Sequence, residues 1–227
     1  RIDADAGTGA TVTFGSTVNG TSDHTEALTV AANGGNVDFD AAVGGTTPVG
    51  VVTVESAVNV TADAAVGADA IYQSAGTGTT TLTGAVTLAA TGGVGLDLDG
   101  TNFTFSNTVD TATAANGGSA TITNAGLLSI ADVTSAADTA GVDWDLDGAF
   151  VQDGAGGVSI AGDVSTTDDA VSFVGAVTLS GSVRIDADAG TGATVTFGST
   201  VNGTSDHTEA LTEIGRASCR ERVCHRV

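Results

Sequence analysis

RIDADAGTGATVTFGSTVNGTSDHTEALT, residues 1–29, recurs without a single change at residues 184–212. Identity over such a length at one fixed offset, which carries Arg1 to Arg184, is the signature of a tandem repeat. The chain therefore holds one complete unit, residues 1–183, and the start of the next, residues 184–212. We expect it to be a fragment of a longer array, because it begins inside a repeat and contains no methionine.

A shorter period runs inside the unit. Apolar anchors recur at nearly even spacing, which predicts eight rungs of about 23 residues: Phe14, Phe39, Val60, Leu82, Phe105, Leu128, Phe150, Phe173 and Phe197. Around them apolar and polar residues alternate, as in a half-buried β-strand. Trp144 and Leu146, for example, oppose Asp143, Asp145 and Asp147. Gly and Asn, which tolerate positive φ, separate these segments.

A rung of about 23 residues is too short to bury its own apolar face, whereas stacked rungs bury one another's. The sequence therefore predicts an all-β fold, a parallel β-helix (β-solenoid) over residues 1–212. Tandem immunoglobulin-like β-sandwiches are the alternative. The regular spacing, the single proline and the absence of a Cys…Trp…Cys pattern disfavour them.

The charge is strongly unbalanced. The formal net charge is −21, and no lysine is present. Nucleic-acid binding needs a basic surface, so we expect no nucleic-acid partner. No apolar run approaches the length of a membrane-spanning helix, so we expect no membrane insertion by this segment. Such acidity favours solubility and cationic partners.

The composition changes abruptly at Glu213. Residues 213–227, EIGRASCRERVCHRV, contain four of the six arginines and both cysteines. Residues 213–223 resemble the translation of a sequencing-library adapter. We therefore expect residues 213–227 to be a non-native, disordered tail and exclude them from the fold. A metal cluster of Cys219, Cys224 and His225 is the disfavoured alternative.

GNVDFDAAVGGTTPVGVVTVESAVNVT, residues 35–61, resembles the repeats of giant bacterial surface proteins of the filamentous haemagglutinin and autotransporter-adhesin type. The resemblance implies a right-handed β-helix in a secreted, non-catalytic stalk. It implies a location outside the cell or on the bacterial surface. The implied partners are neighbouring repeats and a host-surface or polysaccharide ligand of the parent protein.

The strongest candidate site is DWDLDGAFVQDG, residues 143–154. Asp143, Asp145 and Asp147 have the spacing of the first three ligands of a calcium loop, which makes calcium the one cofactor that the sequence suggests. The bidentate Glu at the twelfth position is missing, because Gly154 stands there. Alternatively, the three carboxylates are simply the solvent face of a strand. GGVGLDLDG, residues 92–100, resembles a calcium β-roll motif but occurs once.

Three further motifs are weaker. Ser22, Asp23 and His24 contain the residue types of a catalytic triad, but neighbours in sequence rarely form one, so we expect an exposed polar turn. Threonines such as those of residues 79–81 suggest ice binding, but we do not expect them to align from rung to rung. A polysaccharide-acting β-helix enzyme needs carboxylates paired across a groove, or Lys and Arg, and the sequence shows no such set. We therefore expect no enzyme.

Overall fold

The computed structural model describes residues 1–4, 9–90, 93–111, 118–133, 142–187, 193–205 and 208–219. Their regular secondary structure is β-strand, without a helix. All strand pairs among them are parallel, and the chain winds into about eight coils, about 24 residues apart. The fold is therefore a β-solenoid, which confirms the predicted fold class.

Each coil contributes strands to three sides. Side one is a nine-stranded sheet: β2 (Val12–Phe14), β4 (Val37–Phe39), β6 (Val60–Ala62), β8 (Thr79–Leu82), β11 (Asn102–Phe105), β14 (Leu128–Ile130), β17 (Val158–Ile160), β20 (Val177–Leu179) and β23 (Val201–Gly203). Sides two and three belong to one 16-stranded sheet. They are continuous in the early coils because β5 (Val49–Ser56) and β7 (Val66–Gln73) bend from one side onto the other.

In later coils each long strand is replaced by two short ones. Side two holds β9 (Val86–Leu88), β12 (Val109–Asp110), β15 (Trp144–Leu146), β18 (Val164–Thr166), β21 (Val183–Asp186) and β24 (Leu211–Ile214). Side three holds β1 (Ile2–Asp3), β3 (Leu28–Ala31), β10 (Val94–Gly100), β13 (Ser119–Asn124), β16 (Phe150–Gln152), β19 (Val171–Phe173), β22 (Thr194–Phe197) and β25 (Arg216–Cys219).

The core is a column of inward side chains. Phe39, Phe105, Phe150 and Phe173 are at most 4% exposed. The rings from Phe105 to Phe197 are in continuous contact, since Trp144 packs edge-on against Phe105 and Phe150, with centroids 4.7 and 5.5 Å apart, and Phe173 contacts both Phe150 and Phe197. The alternation of apolar and polar residues is thus realised as predicted for these strands.

The anchors do not all lie on one side. Anchors up to Leu128 lie on side one, whereas Phe150, Phe173 and Phe197 lie on side three. The step from Leu128 to Phe150 looks like a full rung in the sequence but covers two-thirds of a coil. The connection between the end of β14 at Ile130 and the start of β15 at Trp144 takes up the remaining residues of this step. The next side-one strand therefore begins only at Val158. The unit therefore falls one-third of a turn short of the eight rungs counted from the sequence.

A buried polar corner joins sides three and one. Gln152, which is fully buried, donates to Oδ1 of Asn124 at 2.6 Å and accepts from the backbone N–H groups of Val174 and Gly175 at 3.0 and 2.9 Å. Its amide is thereby satisfied without water. At this corner a Cβ on Gly175 would lie 1.9 Å from the carbonyl oxygen of Gly156, so only glycine fits.

The region after Thr212 differs from the sequence prediction. Residues 213–214 continue β24, which pairs with β21, and residues 216–219 form β25, which pairs with β22. The reason is physical, because the open edge of a parallel sheet accepts backbone hydrogen bonds from almost any extended segment. The predicted disorder therefore does not hold for these residues. Residues 220–227, with Cys224 and His225, lie outside the described part.

Candidate functional site

Asp143 lies at the corner before β15 and is only 2% exposed. Its two carboxylate oxygens accept hydrogen bonds from the backbone N–H groups of Val133 at 3.1 Å and Asp163 at 2.8 Å. The placement of Asp143 on a solvent face is therefore wrong. Alternation sets side-chain direction within a strand, but Asp143 precedes the strand and ties neighbouring segments together.

Asp145 projects outward from the middle of β15 on side two. Its register partner on the preceding coil is Asp110, so two carboxylates stack one strand spacing apart. Burial raises the pKa of Asp145, and the charges of Asp110 and Asp147 raise it further. The Asp147 backbone N–H donates to the Thr111 hydroxyl at 3.1 Å. These carboxylates concentrate negative potential and favour a bound proton or cation.

The three residues of the predicted calcium loop are thus divided between a buried corner and an outward ladder. Within the described ranges, no group of three or more His, Cys, Asp or Glu side chains is arranged to hold a metal ion. Calcium binding at Asp143, Asp145 and Asp147 stays a prediction. The structure instead brings Asp110 and Asp145 into register, a pairing that the sequence does not reveal because Asp110 lies far from Asp145 along the chain.

A second acidic cluster lies on side three. Asp97 and Asp99 project outward from β10, while Leu96 and Leu98 are buried, as predicted. Burial raises the pKa of Asp97, with smaller contributions from the charges of Asp99 and Asp153. Asp153 accepts a hydrogen bond from the Thr123 hydroxyl at 2.6 Å. Residue 92, the first glycine of the β-roll-like motif, lies outside the described residues.

The turn that contains His24 is held by Glu26. The Glu26 carboxylate accepts from the Thr21 hydroxyl and from the backbone N–H groups of Thr21 and Ser22 at 3.1 and 3.2 Å. These bonds, the Thr21 hydroxyl foremost, lower the pKa of Glu26 to about 2. In the second copy Glu209 accepts from the Ser205 N–H at 3.1 Å in the same way. The turn is therefore a self-contained local structure, reproduced in both copies.

His24 adopts a positive φ of 57° and leans toward side two. Its Nδ1 lies 2.8 Å from Oδ1 of Asp69, a close electrostatic contact without the geometry of a directed hydrogen bond. Asp23 is farther, with 3.7 Å between its Oδ1 and Nε2 of His24. His24 is thus half-buried, whereas the rest of the turn is exposed as predicted. Asp69 thus lies closer to His24 than Asp23 does, and residue 207, the repeat counterpart of His24, lies outside the described residues.

A surface depression of about 460 Å³ lies beside His24, bordered by Pro48 and Thr87. Its volume falls in the range of small-molecule sites. Backbone and small side chains from the 44–48 turn and from β7 and β9 form most of its wall. His24 is the one ionisable side chain of that wall, so the depression lacks the convergent polar groups that fix a ligand's orientation.

Side one carries an unbroken ladder of outward hydroxyls. Strand registers place these residues directly above one another: Thr61, Thr81, Thr104, Ser129, Ser159 and Thr178. The expectation that threonines would not align is therefore wrong on this side. Unequal sequence spacings are absorbed in the turns, so they do not disturb strand register. We call these six residues the hydroxyl ladder.

The strands that carry most of the hydroxyl ladder, β8, β11, β14, β17 and β20, contain no Asp or Glu. The acidic residues of the same coils lie on sides two and three or in turns. Along one edge of side one, side-chain amides link successive coils: Asn36 Oδ1 accepts from Asn59 Nδ2 at 3.0 Å, and Asn59 Oδ1 accepts from the Thr79 N–H at 2.9 Å. From β6 to β20, side one is thus an uncharged surface on an acidic solenoid, and Asp38, in register with Thr61, marks the end of this surface.

No family model, curated protein or solved structure matches the chain. No helix among the described residues is long and apolar enough to cross a membrane.

Proposed function

We propose that the chain is a structural stalk segment of a large secreted adhesin or cell-surface filament, with no catalytic role. The observation that carries the proposal is the exact duplication, whose first strand makes the same pairing with the next coil in both copies. Ile2 is in register with Val30, and its counterpart Ile185 is in register with Glu213, the counterpart position of Val30. The start of the second unit therefore repeats the pairing of the first as well as its sequence.

The physical properties of the solenoid suit a stalk. Parallel ladders and a continuous apolar core connect each coil to the next, so length grows by adding units without a new fold. The strong negative charge keeps a long filament soluble and separates neighbouring molecules. The ligand of such a protein would be held elsewhere in the parent chain or along repeated surfaces.

Length measurement tests the proposal directly. Proteins of one, two and three units should lengthen by about 37 Å per unit, the rise of about 7⅔ strand spacings, in small-angle X-ray scattering. Folded proteins that lengthen without this constant increment would contradict a continuous stalk. The complete gene is a second test, because a single copy beside a catalytic domain would also contradict the proposal.

A calcium-binding extracellular repeat is the second candidate, and the in-register Asp110–Asp145 pair is the observation that favours it. A polysaccharide-acting enzyme is the third, and turnover of an anionic polysaccharide by the purified chain would favour it. Assays of calcium binding and of polysaccharide turnover distinguish the three candidates, since a stalk segment would neither bind calcium nor shorten the polysaccharide.

A further inference from the structure

The repeat does not close on a whole number of coils. Ile2 belongs to the side-three ladder, which passes through Val30, Val54 and Gln73 and continues to Phe173 and Phe197. Its exact counterpart, Ile185, lies on side two, in register with Val164. Counted along these ladders, one unit spans seven and two-thirds turns.

The aromatic contacts show the same displacement. Phe14 stacks on Phe39 on side one, with ring centroids 4.7 Å apart. Phe197, the same repeat residue, stacks on Phe173 on side three at 5.4 Å. Both copies of this phenylalanine thus find an aromatic partner one coil away, on sides that differ by one-third of a turn.

We infer that successive units of the array are rotated by one-third of a turn about the solenoid axis, so that each surface of the unit faces three directions in turn. This inference rests on the proposed stalk function only for the existence of further units. Three successive units would then complete a whole number of turns and restore the starting phase.

Because of this rotation, the surface presented on any one side of the filament changes from one unit to the next. Sequence positions of side two in one unit fall on side one in the next. The Asp110–Asp145 ladder therefore follows the hydroxyl ladder along the same line. Each uncharged stretch is shorter than one unit of about 37 Å, because Asp38 projects from the same side in register with Thr61. Two like-charged filaments can approach closely only through such stretches, so extended side-by-side packing is prevented and the uncharged surface is displayed all round.

Cysteine cross-linking in this chain tests the phase without requiring further units. The two cysteines of the chain are first replaced by serine, C219S and C224S. Thr178→Cys is then combined with Asn202→Cys, its outward register partner on side one. A second pair combines Ser172→Cys with Thr196→Cys, register partners on side three. Adjacent strands bring such positions within disulfide range.

The deciding pair is Thr178→Cys with Thr196→Cys. Thr196 is the counterpart of Thr13, which lies on side one, so a repeat of eight whole turns would place Thr196 above Thr178. We expect the first two pairs to oxidise at least about tenfold faster than this one, as read from non-reducing gels and thiol mass. Fast oxidation of the 178–196 pair overturns the inference. So does failure of both register pairs in proteins whose melting is unchanged. Neither result depends on how many units the parent protein has.

Discussion

Glu213 stands in register with Ile185 on side two, one coil farther along the solenoid. Ile185 is fully buried, and the matching partner of Ile2 in the first copy is Val30, also fully buried. A carboxylate therefore occupies an inward position where the repeat has an apolar side chain. Burial raises the pKa of Glu213, as expected for a charge at the end of an apolar column.

Glu213→Val should stabilise the fold by about 1 kcal/mol at neutral pH, because it restores an apolar side chain to a partly buried position. The folded-state pKa of Glu213 lies above its unfolded value, so its cost is absent at low pH and develops as pH rises through the folded pKa. The gain should therefore shrink as the pH falls from the folded pKa toward about 4.5, the ordinary value for glutamate, and should be nearly absent below it. Urea unfolding at several pH values measures this, with the exposed neighbour change Thr212→Val as control. A gain that is independent of pH would contradict the assigned cause.

Phe105→Ala should cost roughly 3–5 kcal/mol, because Phe105 is 1% exposed and packs against Trp144. Thr104→Ala is the matched control, since its side chain lies on the outward hydroxyl ladder and should change stability by less than about 0.5 kcal/mol. Chemical denaturation of both variants gives the comparison. A larger cost for Thr104→Ala than for Phe105→Ala would mean that the inward and outward faces of β11 are assigned the wrong way round, and equal costs would contradict the packing of Phe105 in the core.

These positions also show what the sequence could predict. Period-two alternation is a local property, so it correctly placed Leu96, Leu98, Trp144 and Leu146 in the core. It failed for Asp143, because a corner residue has no strand to set its direction. It also missed the pairing of Asp110 with Asp145, since register between coils depends on turn lengths that sequence spacing does not separate from strand lengths.

Gln152→Ala should destabilise the fold by about 2–4 kcal/mol. The change removes the side-chain acceptor of the Gly175 N–H and leaves Oδ1 of Asn124 without its donor, whereas the Val174 N–H keeps the backbone carbonyl of Gln152 as its acceptor. Each buried group left unsatisfied costs about 1–3 kcal/mol, partly relieved if water enters. Val151→Ala, on the half-buried outward side of the same strand, is the control. Hydrogen exchange at Gly175 gives a local readout, with Val174 as the internal reference, and unchanged protection at Gly175 would show that the corner does not depend on this side chain.

Asp145→Asn should stabilise the chain at neutral pH and have little effect at low pH. The raised pKa of Asp145 means that its ionised form is disfavoured in the fold by burial and by repulsion from Asp110 and Asp147. That cost is absent while the group is protonated and grows as pH rises through its folded pKa. Thermal melts between pH 3 and 7 test the sign, and Asp132→Asn, an exposed acid after β14, controls for removal of one charge.

Measuring the stability of the chain in calcium shows whether the Asp110–Asp145 ladder is a binding site or only a solvated strand face. A site with the weak affinity typical of extracellular modules, Kd of about 10⁻⁴–10⁻³ M, would add roughly 1.4–2.7 kcal/mol in about 10 mM calcium. Sodium chloride of equal ionic strength screens all exposed charges alike, so it measures the non-specific part. We expect any excess of calcium over sodium in the parent to disappear in Asp145→Asn and to persist in Asp132→Asn. Because the Asp143 oxygens already accept two backbone N–H groups, Asp143→Asn should lower stability in both salts and leave the excess intact. Equal melting temperatures of the parent in the two salts would show that the acidic ladder is only a solvated strand face. Loss of the calcium excess in Asp143→Asn would instead indicate that Asp143, Asp145 and Asp147 form the site together.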